Sequence, residues 1–283
     1  MLYILTNEKK QMNWQPVYEE TYQRMLTKYE VAYEMTSAEV LIDAVTHGVV
    51  TLTEKDHLWI MHYEDLTNHR EFLIHTKAKV IFRMSGTSTH PYCYQVDMKS
   101  EDDAIQNVID YNLVFHPRMK EYLERFYPNK LFIPTGYPIH VDTNRAIRSA
   151  EHRTKEIVIG GRLSPDKQPM LSMFLLTPLV KEYKITFCYV DNNGKDTQWL
   201  DAYGGKERYE RIGFNFEKLS KEDWLNRVAR AEFYFSTSLG DTSCISIIEA
   251  FQLGAYPVVP HFEKDLPVYD TYMKWGYEPF SQG

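Results

Sequence analysis

The chain has 283 residues, enough for two medium domains or one large one, and its 43% hydrophobic content is ordinary for a globular protein with a real core. A formal charge of −7 excludes a protein held mainly by whole-surface attraction to nucleic acid, while leaving room for a local basic groove. Three cysteines (Cys93, Cys188, Cys244) lie far apart with no CxxC pair, which argues against a disulfide scaffold or a structural zinc site and for a reducing compartment.

The first residues, MLYILTNEKKQ, carry a short apolar run followed by lysines, the reverse of a signal peptide. No stretch reaches the apolar length needed to span a bilayer, so the expectation is a soluble cytoplasmic protein. LYILT (Leu2 to Thr6) reads as a buried first strand. The segment after it places Val17, Tyr18, Tyr22, Met25 and Leu26 at helical intervals. AEVLIDAVTHG reads as a second helix closed by Gly48 at its C′ position. HLWIMHY, AKVIFRMSG, NLVFHP and KLFIPTGYPI are short apolar runs expected as strands, with helical or polar segments such as EDDAIQNVIDY between them.

From Thr143 to Lys155 the chain turns polar and basic (TNRAIRSAEHRTK) and reads as a linker. EIVIGG restarts the strand pattern, continued by ITFCYV, RYERIGFN, AEFYFSTS and AYPVVP. KEDWLNRVARA and TSCISIIEAFQLG are helices among them. Short continuous apolar strands alternating with helices imply parallel sheets covered on both faces. The expected class is α/β, with two Rossmann-like domains facing each other across a cleft: residues 1–142, a linker over 143–155, and residues 156–283.

Two constellations carry chemistry. In IVIGGRLSPDKQP, Gly160 and Gly161 at a strand's carboxyl end let the backbone approach a ligand closely. Arg162 offers a rigid fork of donors and Lys167 a mobile point charge. A helix starting near Pro169 adds its positive end, so the loop suits a diphosphate. A surface turn with two solvated cations accounts for the loop alone equally well. In STSLGDTSCISIIEAFQLGAYPVVP a strand runs into a turn and then a helix, with Asp241 at the helix entry and Glu249 about two turns in. The N–H groups of Thr242, Ser243 and Cys244 would point out of the helix start as an anion or hydroxyl site. An N-cap role for Asp241 and a solvated helix face for Glu249 are the plain alternatives.

The two motifs together resemble the carboxyl-terminal half of GT-B glycosyltransferases, in particular the retaining family known as glycosyl transferases group 1 (glycosyltransferase family 4). In that family a GRL…K loop binds the donor diphosphate, and an E-x7-E element binds the donor sugar and the nucleotide ribose. Arg162 and Lys167 match the cations of the loop. Glu249, in IIEAFQLGAYPVV, matches the second acid, and Asp241 stands where the first glutamate does. Asn107 to Asp142 is similar to the segment that closes the family's first domain.

The resemblance implies transfer of a sugar from a nucleotide-diphosphate donor with anomeric retention. Arg162 and Lys167 would receive the charge of the leaving diphosphate, Asp241 would orient the sugar and Glu249 would hold the ribose. It implies no cofactor and no metal, because the protein supplies the cations. The acceptor would meet the first domain through RMSGTSTHPY, where Ser85, Gly86 and His90 follow a strand; for His90 the plainer reading, a solvated or capping histidine, is the favoured one. The basic residues Arg145, Arg148, Arg153 and Lys155 serve either a solvated hinge or a nucleic-acid backbone. The acceptor is then a saccharide, a lipid-linked polymer or a modified DNA base, the last as in phage enzymes of GT-B architecture.

The sequence also departs from the family. Asp241 is one methylene short of glutamate, the loop after the first strand lacks glycines, and Gln168 stands where a glycine often follows the lysine. The family's terminal helices are expected to be short or missing after YEPFSQG. These departures motivate an alternative from another class, a nucleotide- or phosphate-binding module without transferase activity.

Overall fold

The computed structural model describes residues 1–6, 15–61, 63–83, 104–114, 117–136, 139, 141, 152–161, 163, 167–189, 200–202, 204–238, 245–260 and 276–277. The chain divides into two compact units, Met1–His140 and Val141–Gly283. Each is built on its own six-stranded sheet in which every pairing is parallel.

In the first unit the elements run β1 (Leu2–Thr6), α1 (Gln15–Lys28), β2 (Tyr33–Ser37), α2 (Ala38–Thr46), β3 (His57–Ile60), α3 (Tyr63–Asn68), α4 (Arg70–His75), β4 (Lys79–Arg83), β5 (Tyr111–Val114), α5 (Pro117–Phe126) and β6 (Phe132–Pro134). The sheet order is β2-β1-β3-β4-β5-β6. Ile4, Leu58, Ile60, Val80 and Val114 are buried, as strands covered on both faces require. Along α1, Tyr22 and Leu26 face inward while Met25 is 39% exposed, so the apolar stripe is narrower than its spacing suggests.

α2 begins at Ser37, whose side chain accepts the Val40 N–H at 3.3 Å, and ends at His47, with Gly48 at φ 72° supplying the left-handed C′ residue. β2 (YEMTS) has no apolar run to announce it. It is an edge strand with one exposed and four half-buried residues, stabilised by its ladder to β1.

The second unit runs β7 (Thr154–Gly160), α6 (Pro169–Leu176), β8 (Lys184–Tyr189), α7 (Lys206–Glu210), β9 (Phe214–Lys218), α8 (Lys221–Arg230), β10 (Ala231–Phe235), α9 (Ile245–Gln252), β11 (Tyr256–Pro260) and β12 (Gly276–Tyr277). Thr154 and Lys155, read with the linker, are the first two residues of β7. RYERIGFN, expected as a strand, is divided between two elements. Its first residues belong to α7, where Lys206 pairs with Glu210 at i,i+4, and Gly213 at φ 115° turns the chain into β9. Phe187 stacks on Phe216 at 5.2 Å and meets Phe214 edge-on at 5.9 Å, anchoring β8 to β9.

Toward the amino ends of β7 and β8 lies a charge cluster. Glu156, 4% exposed, accepts from Thr186 Oγ1 at 2.6 Å and Arg227 at 2.9 Å, with Lys184 at 3.3 Å. Arg227 also reaches Glu217. Burial works against the Arg227 charge, but Glu156 and Glu217 outweigh it and raise its pKa. Cys188, further along β8, is 4% exposed, and burial pushes its thiol from 9.0 up to about 12. The thiolate is the reactive form, so near pH 8 the native thiol should alkylate about 1,000-fold more slowly than in the unfolded chain. Peptide mapping after iodoacetamide treatment should find Cys188 labelled only in denaturant; rapid labelling of the native protein would contradict this burial. A raised thiol pKa also contributes stability that is complete below pH 9 and lost as pH climbs toward 12.

A candidate functional site at the switch point of the second sheet

The second sheet has the order β12-β11-β10-β7-β8-β9. Starting from β9, these are the unit's third, second, first, fourth, fifth and sixth strands, so the order reverses between β7 and β10. In open α/β sheets ligands bind outside the carboxyl ends of the strands at that reversal. Gly160 ends β7, and β10 ends at Phe235 with Ser236, Thr237 and Ser238 directly after it. The fold therefore brings the Gly160–Gly161 turn and the hydroxyl-bearing end of β10 to one edge of the sheet.

Lys167 joins them: its Nζ donates to Ser238 Oγ at 3.3 Å, across 71 residues of sequence. Its backbone is clamped as well. Thr237, 1% exposed, directs its hydroxyl at the carbonyls of Lys167 and Gln168, both at 2.9 Å. Carbonyls only accept, so the 2.6 Å contact between Thr237 and the buried Ser172 must have Ser172 as donor. Ser236 Oγ in turn accepts the Ser238 N–H at 3.2 Å. Gln168, where the family often has glycine, adopts φ 50° and ψ 49°, the left-handed conformation that favours glycine, and caps α6 ahead of Pro169 at the helix start.

The glycine turn is held on several sides. Gly161, at φ 124°, donates its N–H to the Cys188 carbonyl at 3.2 Å. Tyr234 directs its hydroxyl at the Gly160 carbonyl, 3.3 Å away, and contacts Ser246 Oγ at 2.9 Å. The ring of Trp224 occupies the place a side chain at position 160 would need.

Glu249 is not on a solvated helix face. It is 1% exposed, and each carboxylate oxygen has a partner: Oε2 accepts the Trp224 indole N–H at 2.7 Å and Oε1 pairs with Lys221. Lys221 opens α8, directly after Ser220, which accepts the Asp223 N–H at 3.1 Å as the N-cap. Its side chain is 47% exposed, so this pair is half in water.

Of the residues singled out in the sequence, the structure places Gly160, Gly161, Lys167 and Glu249. Arg162, Asp241, Thr242, Ser243 and Cys244, together with Ser85, Gly86 and His90, lie outside the described residues. β4, which leads toward Ser85, ends at Arg83, a buried arginine 1% exposed. Ser172, Thr237, Ser238, Lys221 and Trp224 were not anticipated. Small hydroxyl residues directly after a predicted strand are a signal that could have marked Thr237 and Ser238. Trp224 reads from sequence simply as the apolar face of a helix. Among the described residues no group of three or more His, Cys, Asp or Glu could hold a metal ion, and no helix is long and apolar enough to cross a membrane.

No protein-family model matches the chain, and no curated protein matches it in sequence. Solved structures do match in fold. The chain is similar to trehalose-6-phosphate synthase, studied for enzymatic glycosyltransfer with retention: TM-score 0.61 and 12% identity, over 85% of this chain and 67% of that one. It is similar to the pneumococcal O-GlcNAc transferase GtfA in complex with UDP and GlcNAc, with TM-score 0.56 and 12% identity, over 81% of this chain and 46% of that one. Against TarM the TM-score is 0.59 at 13% identity, over 83% of this chain and 47% of TarM. The chain thus spans from about half to two thirds of the length of these proteins. The likeness is one of fold: α/β, two Rossmann-like units, the GT-B class.

Proposed function

We propose that the chain transfers a sugar from a nucleotide-diphosphate donor to an acceptor, with retention of anomeric configuration. The observation that carries the reading is Lys167 at the switch point of the second sheet, its ammonium against Ser238 and its backbone clamped by Thr237. A leaving nucleoside diphosphate gains negative charge as the glycosidic bond breaks, and a cation fixed in advance stabilises that charge without reorganising. Lys167 supplies it, and Arg162, five residues before, supplies a second. Asp241 and the N–H groups of Thr242, Ser243 and Cys244 orient the sugar.

Glu249 serves the ribose through one oxygen. Oε2 is committed to Trp224, whereas Oε1 faces the half-exposed Lys221 and becomes available to a hydroxyl when that ammonium swings into solvent. The protein supplies the cations, so the reaction needs no metal. Ser85, Gly86 and His90 belong to the acceptor side, which takes a saccharide or a modified DNA base, and the protein works in the cytoplasm.

Thermal shift with UDP and GDP tests the reading. Saturation at about 100 times Kd stabilises a protein by about 2.7 kcal/mol, so one of the two should raise the Tm by several degrees. Lys167→Ala and Arg162→Ala should each abolish the rise. No rise with either nucleotide in the wild type, or an unchanged rise in both variants, would overturn the site. A nucleotide-binding module without transfer would show the same rise. The internal engagement of Glu249 favours that second reading, and release of free sugar from a nucleotide-sugar panel decides against it. The same panel offered with DNA, lipid and saccharide acceptors identifies the acceptor.

A further inference from the structure

The turn at the end of β7 is supported by a residue from a helix far along the chain. A Cβ built on Gly160 would lie 2.3 Å from Trp224 Cη2 and 2.9 Å from both Cζ2 and Cζ3. That atom set is the outer edge of the indole, and the ring is not free to move aside. Its N–H is held by Glu249 Oε2 at 2.7 Å, and it packs against the Tyr234 ring in a T-shaped contact at 6.1 Å and 76°. Tyr234 in turn reaches the Gly160 carbonyl. Trp224 is 9% exposed and comes from α8, 64 residues after the turn it underlies.

We propose that Trp224 is a positioning residue for the donor diphosphate: its indole edge, fixed by Glu249, sets the path of the Gly160–Gly161 turn against which the diphosphate docks. The inference rests on the donor-site reading above and adds to it a matched pair, no side chain at 160 and a full indole at 224. The backbone position of the turn is determined by that contact, by the Tyr234 hydroxyl on the Gly160 carbonyl and by the Cys188 carbonyl on the Gly161 N–H. A ligand recognised by backbone groups is sensitive to displacements of less than an ångström, because hydrogen bonds weaken steeply off their preferred geometry. Glu249 then has a second task, holding the indole, distinct from any contact with ribose.

The test measures UDP and GDP affinity by titration calorimetry, alongside the unliganded Tm, for wild type, Trp224→Phe, Gly160→Ala and the double variant. Trp224→Phe removes the outer ring edge and the N–H while keeping an aromatic body. It should stay folded and lose about 10-fold in affinity for the nucleotide that binds. Gly160→Ala alone forces a methyl into the ring and should lose more. In the double variant the methyl occupies the space the indole edge vacated, and affinity should return to within about 3-fold of wild type. A merely structural role would lower Tm in all three variants with no such recovery of affinity.

Wild-type affinity in a folded Trp224→Phe would overturn the inference while leaving the donor site standing, as would a double variant that binds no better than Trp224→Phe. Should Gly160→Ala not fold, the comparison of Trp224→Phe with the double variant decides alone. Failure of wild type to bind either nucleotide overturns the donor-site reading and this inference together.

Discussion

Glu249→Ala is expected to destabilise the protein by about 3 kcal/mol, among the larger effects of a single substitution in this unit. Three losses contribute. The Trp224 indole N–H, buried, loses its acceptor, and an orphaned buried donor costs about 1–3 kcal/mol. The truncated side chain leaves a void against the Trp224 indole, at a position only 1% exposed. Lys221 loses its partner, but its side chain is 47% exposed and the ammonium relaxes into water, so this third term is small.

Glu249→Gln separates the terms. It keeps the volume and, with its single amide oxygen turned to the Trp224 N–H, places the amide NH2 opposite the Lys221 ammonium, and should cost about 1–2 kcal/mol. The measurement is the urea midpoint followed by circular dichroism, with the m-value unchanged between variants. A Glu249→Ala midpoint equal to that of wild type would mean the carboxylate is solvated after all, and would also remove the support proposed for Trp224.

The parts legible in the sequence are those whose local signal and tertiary environment agree. β7 and β10 lie inside the sheet, so each carries a continuous apolar run, IVIG and FYF. β2 is not legible because an edge strand has only one neighbour and needs no apolar run: YEMTS is held by its ladder to β1. RYERIG misleads because alternation within a short segment does not distinguish one turn of helix from a strand, and the two glycines, Gly205 ahead of α7 and Gly213 after it, carry the better signal.

In the site, Lys167 is legible from its loop, since a cation after a strand's carboxyl end suits an anion wherever the strand lies in the sheet. What selects this loop over others is the reversal of strand order between β7 and β10, a property of the whole sheet. The partners of Glu249 are hidden for a related reason: Lys221 and Trp224 precede it by 28 and 25 residues, on a helix whose own pattern says only that one face is buried.

Thr237→Val is expected to cost about 2–4 kcal/mol and to weaken nucleotide binding by 10-fold or more, even though the substitution preserves shape. The hydroxyl it removes shares its one hydrogen between the carbonyls of Lys167 and Gln168 and receives the hydrogen of Ser172, which is fully buried. Valine fills the same volume and serves none of the three. The Gln168 carbonyl keeps the Ser172 N–H at 3.2 Å, so the main orphans are the Ser172 hydroxyl and the Lys167 carbonyl.

Because the clamp holds the loop that carries Lys167, stability and affinity should fall together. Lys167→Ala should instead abolish the nucleotide response while changing stability by about 0.5 kcal/mol or less, since its half-buried side chain contributes little packing. Thr237→Ser retains the hydroxyl and should recover affinity while losing only the share of one methyl, about 0.8 kcal/mol. Chemical denaturation and titration calorimetry on the three variants read both quantities. Should Thr237→Val bind UDP and GDP as wild type does, Lys167 is placed by something other than this clamp. Should Lys167→Ala bind as wild type does, the cation is not part of the donor site, and the switch point would need another occupant.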